Sequence, residues 1–507
     1  MWGGQNSWRK RPDWRYLVGY LDNNQFKIHT QNASLPDGVC RRMPWAALYT
    51  TEEKLHQTQL PVVTIPEYVK QAMKFSYPTY DKDNAPTYHS CPFWEKLYPH
   101  QKAAVTWTMQ KYQMKVVLCD EMGAGKTFQA LALASVFMGR KSGAKMLILC
   151  PAFLQKDWKS NVEEYLHPYK DHITLLSYDK AKNQYKELKK IKFDIVVCDE
   201  VHQLKDPKTK RFKRLAPLIR KVKAKVLLTG TPCTNRSNEL YAPLHMLHPK
   251  IFPKYKDFCE RYYCRVARKS RLSEELSMIL PYFGFIRRTK ADVLDLPPKL
   301  VRTSMVVDEK ARVETVKLLQ EMRDPENQGM SQYLIGQAYH KLASIKANSV
   351  QVAEKFKEVL RTKKGAKKLV FCHHIDMMLA ARKWCEQVQE DMILSEIHGG
   401  VSMPKRNEIV RKYQKGEIDV LICTMQAAGV GLTLTAATEV IFLELNWVPG
   451  LMRQCEDRAH RIGQREEVHV TRIACSGSLD EWILKCENGK KKIHKLLLSE
   501  SRKASQV

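Results

Sequence analysis

No apolar stretch of this 507-residue sequence reaches the roughly 20 residues of a membrane span, and Met1 to Arg15 is polar and basic with no apolar core. The expectation is a soluble chain without a secretory leader. There is no CxxC pair and no Cys/His array at zinc spacing, although the sequence holds 14 cysteines. Several of them (Cys119, Cys150, Cys198, Cys372 and Cys423) fall in or beside apolar runs. They read as buried, reduced thiols, which points to an intracellular compartment. No internal repeat, low-complexity block or long single-sign tail is present.

What the sequence does have is positive charge: 84 Lys and Arg against 54 Asp and Glu, a formal net charge of +30. With no tail to carry it, the surplus must be spread over folded surface, where it suits a polyanion through phosphate contacts and counterion release. The other reading of such a surplus is solubility alone.

From about Lys115 to Cys475 the chain repeats a short β-branched run, turn residues and a segment of helical period. The runs are Lys115–Cys119, Met146–Cys150, Asp194–Cys198, Lys225–Leu228, Lys368–Cys372, Asp419–Cys423, Glu439–Leu445 and Val468–Cys475. Apolar runs without alternation predict strands covered on both faces, hence parallel sheets sandwiched by helices. The fold class is α/β, with two lobes of this kind separated by a mostly helical stretch rich in Lys, Glu, Leu and Arg. The expected division is an accessory region and linker at 1–92, a first lobe with a helical extension at 93–285, a helical insertion at 286–365, and a second lobe with a C-terminal brace at 366–507. Within 1–92, Arg15–Tyr20 and Gln25–His29 look like short strands.

The first lobe carries Lys115-Val-Val-Leu-Cys-Asp-Glu-Met-Gly-Ala-Gly-Lys-Thr127, followed by a helical segment. Strand, glycine-bearing loop and helix N-terminus are the parts of a phosphate cradle. Gly123, Ala124 and Gly125 would let backbone N–H groups approach a polyphosphate, Lys126 would neutralise its outer phosphates, and the Thr127 hydroxyl would sit on magnesium. Asp120 stands where the general pattern has its first glycine. Further on, Asp194-Ile-Val-Val-Cys-Asp-Glu-Val-His202 ends a strand in two carboxylates. Asp199 can reach the magnesium shell through water, while Glu200 orients the attacking water.

In the second lobe, Thr424-Met-Gln-Ala-Ala-Gly-Val-Gly-Leu-Thr433 follows a strand. Its glycines and hydroxyls, Thr424 and Gly431 among them, could touch a sugar-phosphate backbone and the cleft, or simply make a tight turn. Pro449 can open a helix on which Gln454, Arg458 and Arg461 fall at i, i+4 and i+7, one face that aims two guanidiniums at a single spot. Such arginines stabilise the spreading charge of a phosphoryl-transfer transition state.

Asp-Glu-Met-Gly-x-Gly-Lys-Thr, Asp-Glu-x-His, Leu227-Leu-Thr-Gly-Thr-Pro232 and Gln454-Cys-Glu-Asp-Arg-Ala-His-Arg-Ile-Gly-Gln464 together resemble the Swi/Snf-type ATPases of helicase superfamily two. That family has an acidic residue in place of the first loop glycine, as here. The resemblance covers about Glu95 to Leu484. It implies two RecA-like lobes, ATP and Mg2+ as cofactors, and DNA as partner. It further implies that Gln101 in Leu97-Tyr-Pro-His-Gln101 reads adenine with Tyr98 nearby. Pro151 in Leu149-Cys-Pro-Ala-Phe153 would lie in a motif that touches the nucleic-acid backbone, Thr229 and Thr231 would link DNA to the ATP site, and Gln454 would belong to that site.

Thr231-Pro-Cys-Thr-Asn-Arg-Ser-Asn-Glu-Leu-Tyr241, Pro249-Lys-Ile-Phe-Pro-Lys-Tyr255 and Ile286-Arg-Arg-Thr-Lys-Ala-Asp-Val-Leu294 before Leu296-Pro-Pro-Lys299 look most like the annealing-helicase branch, whose members rewind DNA and remodel forks. The leading expectation is therefore an ATP-dependent translocase on duplex or forked DNA. It stands beside a nucleosome remodeller or strand-separating helicase, and beside a nucleic-acid-binding subunit whose ATP site is a switch or inactive. The expected location is intracellular: the nucleus in a eukaryote, the cytosol in a bacterium.

Overall fold

The computed structural model describes residues 16–21, 25–29, 47–51, 62–63, 66–76, 78–81, 86–233, 236–264, 269–270, 272–323, 331–363, 365–389, 391–428, 432–447 and 449–485. Two six-stranded sheets dominate it. The first runs, from edge to edge, Phe285–Ile286, Lys115–Leu118, Ala224–Leu228, Ile195–Cys198, Met146–Cys150 and Ile173–Ser177, every neighbouring pair parallel. The second runs Lys299–Val306, Val468–Cys475, Ala437–Phe442, Lys367–Cys372, Val420–Thr424 and Leu394–Ile397, again all parallel. A separate four-stranded sheet holds Tyr16–Leu21 and Gln25–His29, close to the two short strands expected in that region.

Burial explains the unbroken apolar runs. In the first sheet Val117, Leu147, Leu149, Val196 and Leu227 pack into the core on one face, while Val116, Leu118, Ile148, Val197 and Val226 pack into the core on the other. Because successive strand residues point to opposite faces, both parities must be apolar when helices cover both sides. The second sheet is built the same way, with Val370, Ile422 and Ile441 on one side and Leu369, Leu421 and Val440 on the other. Cys119, Cys150, Cys198, Cys372 and Cys423 are buried free thiols.

The stretch 286–365, expected to be a helical insertion between the lobes, is distributed otherwise. Phe285–Ile286 adds an edge to the first sheet, and Lys299–Val306 pairs residue for residue with Val468–Cys475 in the second. The helices Glu309–Arg323, Ser331–Ala347 and Val350–Arg361 contribute Ala311, Leu318, Leu334, Leu342, Val352 and Phe356 to the same core as Val370 and Ile473. They are a covering layer of the second sheet. The segment joining the sheets is thus short, from Arg287 to Pro298.

One buried ion pair fastens that layer. Lys346 Nζ donates to Asp480 Oδ2 at 2.8 Å and to the Ile473 carbonyl at 2.9 Å, with both side chains 1% exposed. Asp480 Oδ2 also accepts from the Cys475 amide at 2.9 Å. Removing one partner of such a pair leaves an uncompensated buried charge, so Lys346→Met should destabilise the second lobe by about 3–5 kcal/mol. Adding Asp480→Asn should recover most of that loss. Denaturant unfolding of the three proteins checks this; an undiminished loss in the double variant would contradict it.

Candidate active site

The strand Lys115–Leu118 leads into the loop 119–125 and then the helix Lys126–Arg140. Gly123 and Gly125 both adopt left-handed backbone, φ 85° and 78°. A Cβ at Gly125 would collide with the Gln101 carboxamide, and one at Gly123 would lie 2.9 Å from Arg461 Cβ. Glycine is needed here for conformation and for close approach alike. The loop lies directly against a residue of the other lobe.

Asp120 is fully buried, and its role is legible only in three dimensions. Arg288 donates from Nη2 to Asp120 Oδ2 at 2.6 Å, from Nε to Oδ1 at 3.1 Å, and from its backbone amide to Oδ1 at 2.9 Å. Gln129 Nε2 adds a fourth bond at 2.9 Å. Burial alone would raise the Asp120 pKa, but Arg288 and Gln129 reverse this and hold the carboxyl below its ordinary range. Arg288 Nη1 also donates to the His100 carbonyl at 2.6 Å, and its guanidinium lies over Trp107.

A cavity of about 590 Å3 opens between the lobes. Gln101, Gly123, Gly125, Lys126, Thr127, Asp199 and Glu200 line it from the first lobe, and Thr433, Asp457, Arg458 and Arg461 from the second. Nine of the expected site residues therefore meet in one place, from segments far apart in sequence. Lys126 Nζ donates to the carbonyls of Asp120 and Glu121 at 2.7 and 3.1 Å. Burial lowers its pKa, against the upward pull of Glu200, Asp120 and Asp199.

The two strand-end carboxylates are driven apart. Burial and the charge of Glu200 push Asp199 up to about 6, although Trp158 Nε1 and the Glu200 amide donate to it at 2.9 and 2.8 Å. Burial would also raise Glu200, but His202, Lys126 and Arg458 outweigh it and hold Glu200 low and ionised. His202 Nδ1 lies 3.1 Å from Glu200 Oε2. Paired carboxyl groups with separated pKa values are the mark of groups given different tasks. Glu200 also sits in the left-handed region, φ 49°, an unfavourable conformation for a non-glycine residue.

From the second lobe, Arg458 and Arg461 both face the cavity, but not from one helical face as the spacing predicted. The helix Pro449–Ala459 ends before Arg461, and the Arg458 carbonyl accepts from the Leu434 amide at 2.9 Å instead of continuing the helix. Arg461 stands on the following turn. Gln464 fixes that turn by donating to the carbonyls of Thr435, Ala437 and Ala459 at 3.0, 3.0 and 3.1 Å. Burial and the neighbouring Arg458 charge lower Arg461 to about 10, which leaves it cationic at neutral pH.

The remaining expected residues sit around the cavity. Ala124 is buried behind the loop, its carbonyl accepting from Gln101 Nε2 at 3.3 Å. Gln101 Oε1 accepts from the Tyr98 amide at 3.0 Å, so this glutamine braces the loop in the present structure. Gln454 is half-buried on the Pro449–Ala459 helix, outside the cavity lining. Thr229 Oγ1 accepts from the Thr231 amide at 3.1 Å and lies 3.4 Å from His202 Nδ1, which links both threonines to Glu200. Pro151 and Thr424 are buried at the ends of their strands, and Gly431 lies outside the described residues. Sequence reasoning missed Trp158, Asp157, His202, Arg288 and Gln464. Of these, His202, Arg288 and Gln464 stood within quoted motifs.

These features define a class: two parallel α/β lobes sharing one polyphosphate-sized site, with the phosphate loop and carboxylates on one lobe and the arginines on the other. The SNF2-related domain family matches residues 100–170 and 167–390, more than half of the chain, and the helicase conserved C-terminal domain matches residues 351–463. The chain belongs to the SNF2-related family. It is 31% identical over 431 residues to the Homo sapiens "DNA annealing helicase and endonuclease ZRANB3", covering 76% of this chain and 39% of that protein. It is 30% identical over 426 residues to a Caenorhabditis elegans homologue of "SWI/SNF-related matrix-associated actin-dependent regulator of chromatin subfamily A-like protein 1", covering 76% and 60%. The chain thus spans less than two thirds of either relative's length. Among solved structures it is similar to a Sulfolobus solfataricus SWI2/SNF2 ATPase core in complex with dsDNA, with 25% identity, a TM-score of 0.39, and coverage of 81% and 94%. No helix among the described residues is long and apolar enough to cross a membrane.

Asp120→Ala would strand Arg288 in the core and should cost about 3–5 kcal/mol. Combining it with Arg288→Met should restore stability toward wild type while leaving the loop poorly held. Thermal unfolding of the single and double variants measures this, and a single variant as stable as wild type would contradict the clamp.

Proposed function

We propose that this chain is an ATP-dependent translocase on double-stranded DNA that rewinds or remodels branched DNA. The observation that carries the reading is the shared cavity, in which the phosphate loop, Asp199 and Glu200 of one lobe face Arg458 and Arg461 of the other. The donor set suits Mg2+ with ATP: Thr127 lines the same cavity as the half-buried Asp199 and Glu200, and Asp199 is pushed up by desolvation and by its neighbour's charge. When bound, Mg2+ supplies positive charge at the phosphate oxygens and offsets that repulsion.

The chain's own residues do the rest. Gly123, Ala124 and Gly125 present the loop backbone to the phosphates, Lys126 neutralises the outer ones, and Gln101 with Tyr98 edges the end suited to adenine. Glu200, held ionised, orients the attacking water through its carboxylate. Arg458 and Arg461 stabilise charge on the transferring group. Because the arginines belong to the second lobe, turnover depends on how the lobes are set against each other, which is how hydrolysis becomes movement. The path from Glu200 through His202 to Thr229 and Thr231 gives the site a route toward bound DNA, with Pro151 just past the strand Met146–Cys150 of the first sheet and Thr424 at the end of Val420–Thr424 in the second.

The charge of +30 supports a polyanionic track. Similarity to a relative whose name reads DNA annealing helicase supports rewinding rather than nucleosome sliding or strand separation. In a eukaryotic host the site of action is the nucleus.

The test is steady-state ATP hydrolysis at one salt concentration with no nucleic acid, single-stranded DNA, duplex, forked DNA and RNA. Strongest stimulation by duplex or fork is expected; stimulation by RNA alone, or by nothing, contradicts the reading. In the same assay Glu200→Gln should bind ATP without turnover. Arg458→Ala should keep nucleotide affinity but lose roughly 10³-fold or more in DNA-stimulated rate. Preserved catalysis with lost ATP binding would refute the arginine's role.

A further inference from the structure

The segment from Arg287 to Lys299 touches the phosphate loop and the arginine-bearing helix at once. On the loop side, Arg288 holds Asp120, Arg287 Nη1 donates to the Cys119 carbonyl at 2.7 Å, and the Lys290 amide donates to Glu121 Oε2 at 3.0 Å. Three residues of one short stretch are therefore fixed to three consecutive residues leading into the phosphate cradle. Thr289 and Asp292 close a reciprocal capping box around Lys290, which fixes the direction from which its side chain leaves the backbone.

On the other side, the Lys290 side chain crosses to the second lobe. Its Nζ donates to Asp457 Oδ1 at 2.6 Å and to the His460 carbonyl. Lys299 Nζ reinforces the contact, 2.9 Å from Glu456 Oε2 and 3.6 Å from Asp457 Oδ1, and His460 Nε2 lies 2.9 Å from the Pro297 carbonyl. Asp457 and His460 flank the two cavity arginines: Asp457 precedes Arg458, and His460 precedes Arg461. Asp457 itself lines the cavity. Without a partner, its carboxylate would compete with phosphate oxygens for both guanidiniums and would add negative charge where a polyanion must sit.

We infer that Lys290 is a positioning residue for ATP hydrolysis, tying the helix end that carries Arg458 and Arg461 to the phosphate loop and neutralising Asp457. The side chain is 7% exposed, too buried for its partner to be replaced cheaply by water. Burial lowers the Lys290 pKa, and the Asp457 carboxylate is the largest opposing influence. The inference rests on the site being an ATPase, and its test separates the two.

The experiment compares wild type, Lys290→Met, Asp457→Asn and the double variant. It reads kcat and KM for ATP at saturating forked DNA, affinity for a fluorescent ATP analogue, and thermal midpoint. A displacement of about 1 Å in a catalytic group costs on the order of 10²-fold, so Lys290→Met should lower kcat roughly 10- to 100-fold. Its KM and analogue affinity should stay within about twofold of wild type, as expected for a contact that acts only on the transition state. The double variant should lose no more than the worse single one, because both changes break the same contact. Three results overturn the inference while leaving the ATPase reading intact: a Lys290→Met kcat within twofold of wild type, a KM change as large as the kcat change, or losses that multiply. A wild-type protein that hydrolyses no ATP with any nucleic acid overturns both.

Discussion

The structure depends on the ion pair between Asp120 and Arg288. It is wholly buried, made by three hydrogen bonds from one arginine to one carboxylate, and it joins the entrance of the phosphate loop to the first residues after the first sheet's edge strand. A buried pair of this kind adds little stability compared with apolar packing of the same volume, yet breaking one half is expensive. Its effect is geometric. The loop cannot shift without moving the chain that leads to the second lobe. The aspartate at the usual glycine position is therefore the anchor of the connection between lobes.

From that anchor the rest of the site follows. Gly123 must be glycine because Arg461 lies against it, and Arg461 lies there because Gln464 holds the turn beyond the helix Pro449–Ala459. Glu200 stays ionised because His202, Lys126 and Arg458 outweigh its burial, whereas Asp199 is pushed up by burial and by the charge of Glu200. Each lobe alone would leave this electrostatic balance incomplete. A cavity that needs both lobes to set its charges is suited to reporting the lobes' arrangement to the phosphates.

Much of the fold was readable from the sequence, and what was not lies at the sheet edges. All eight expected strands of the two sheets are present. The four that went unseen, Ile173–Ser177, Phe285–Ile286, Lys299–Val306 and Leu394–Ile397, are the four sheet edges. Three of these edges are covered less completely and carry no unbroken buried run, with Leu300, Val301 and Met305 about half exposed, while Phe285–Ile286 is buried but only two residues long. Missing Lys299–Val306 is also what made 286–365 look like an insertion. For the site, residues within motifs could be placed together, because loop, carboxylate and arginine chemistry each has a local signature. Trp158, Arg288 and Lys290 act through partners distant in sequence, and no local spacing encodes such pairings. The end of the Arg458 helix was invisible for the same reason: the Leu434 amide that takes its carbonyl comes from another segment.

The central claim is that one nucleotide site is completed by both lobes. A structure of the chain with Mg2+, a non-hydrolysable ATP transition-state mimic and forked DNA tests it most directly. The account predicts the mimic in the cavity between the lobes, with Lys126 and the guanidiniums of Arg458 and Arg461 in hydrogen-bond contact with its terminal group, and Glu200 facing the attacking position. A mimic held by the first lobe alone, with both arginines turned away or paired elsewhere, would contradict it.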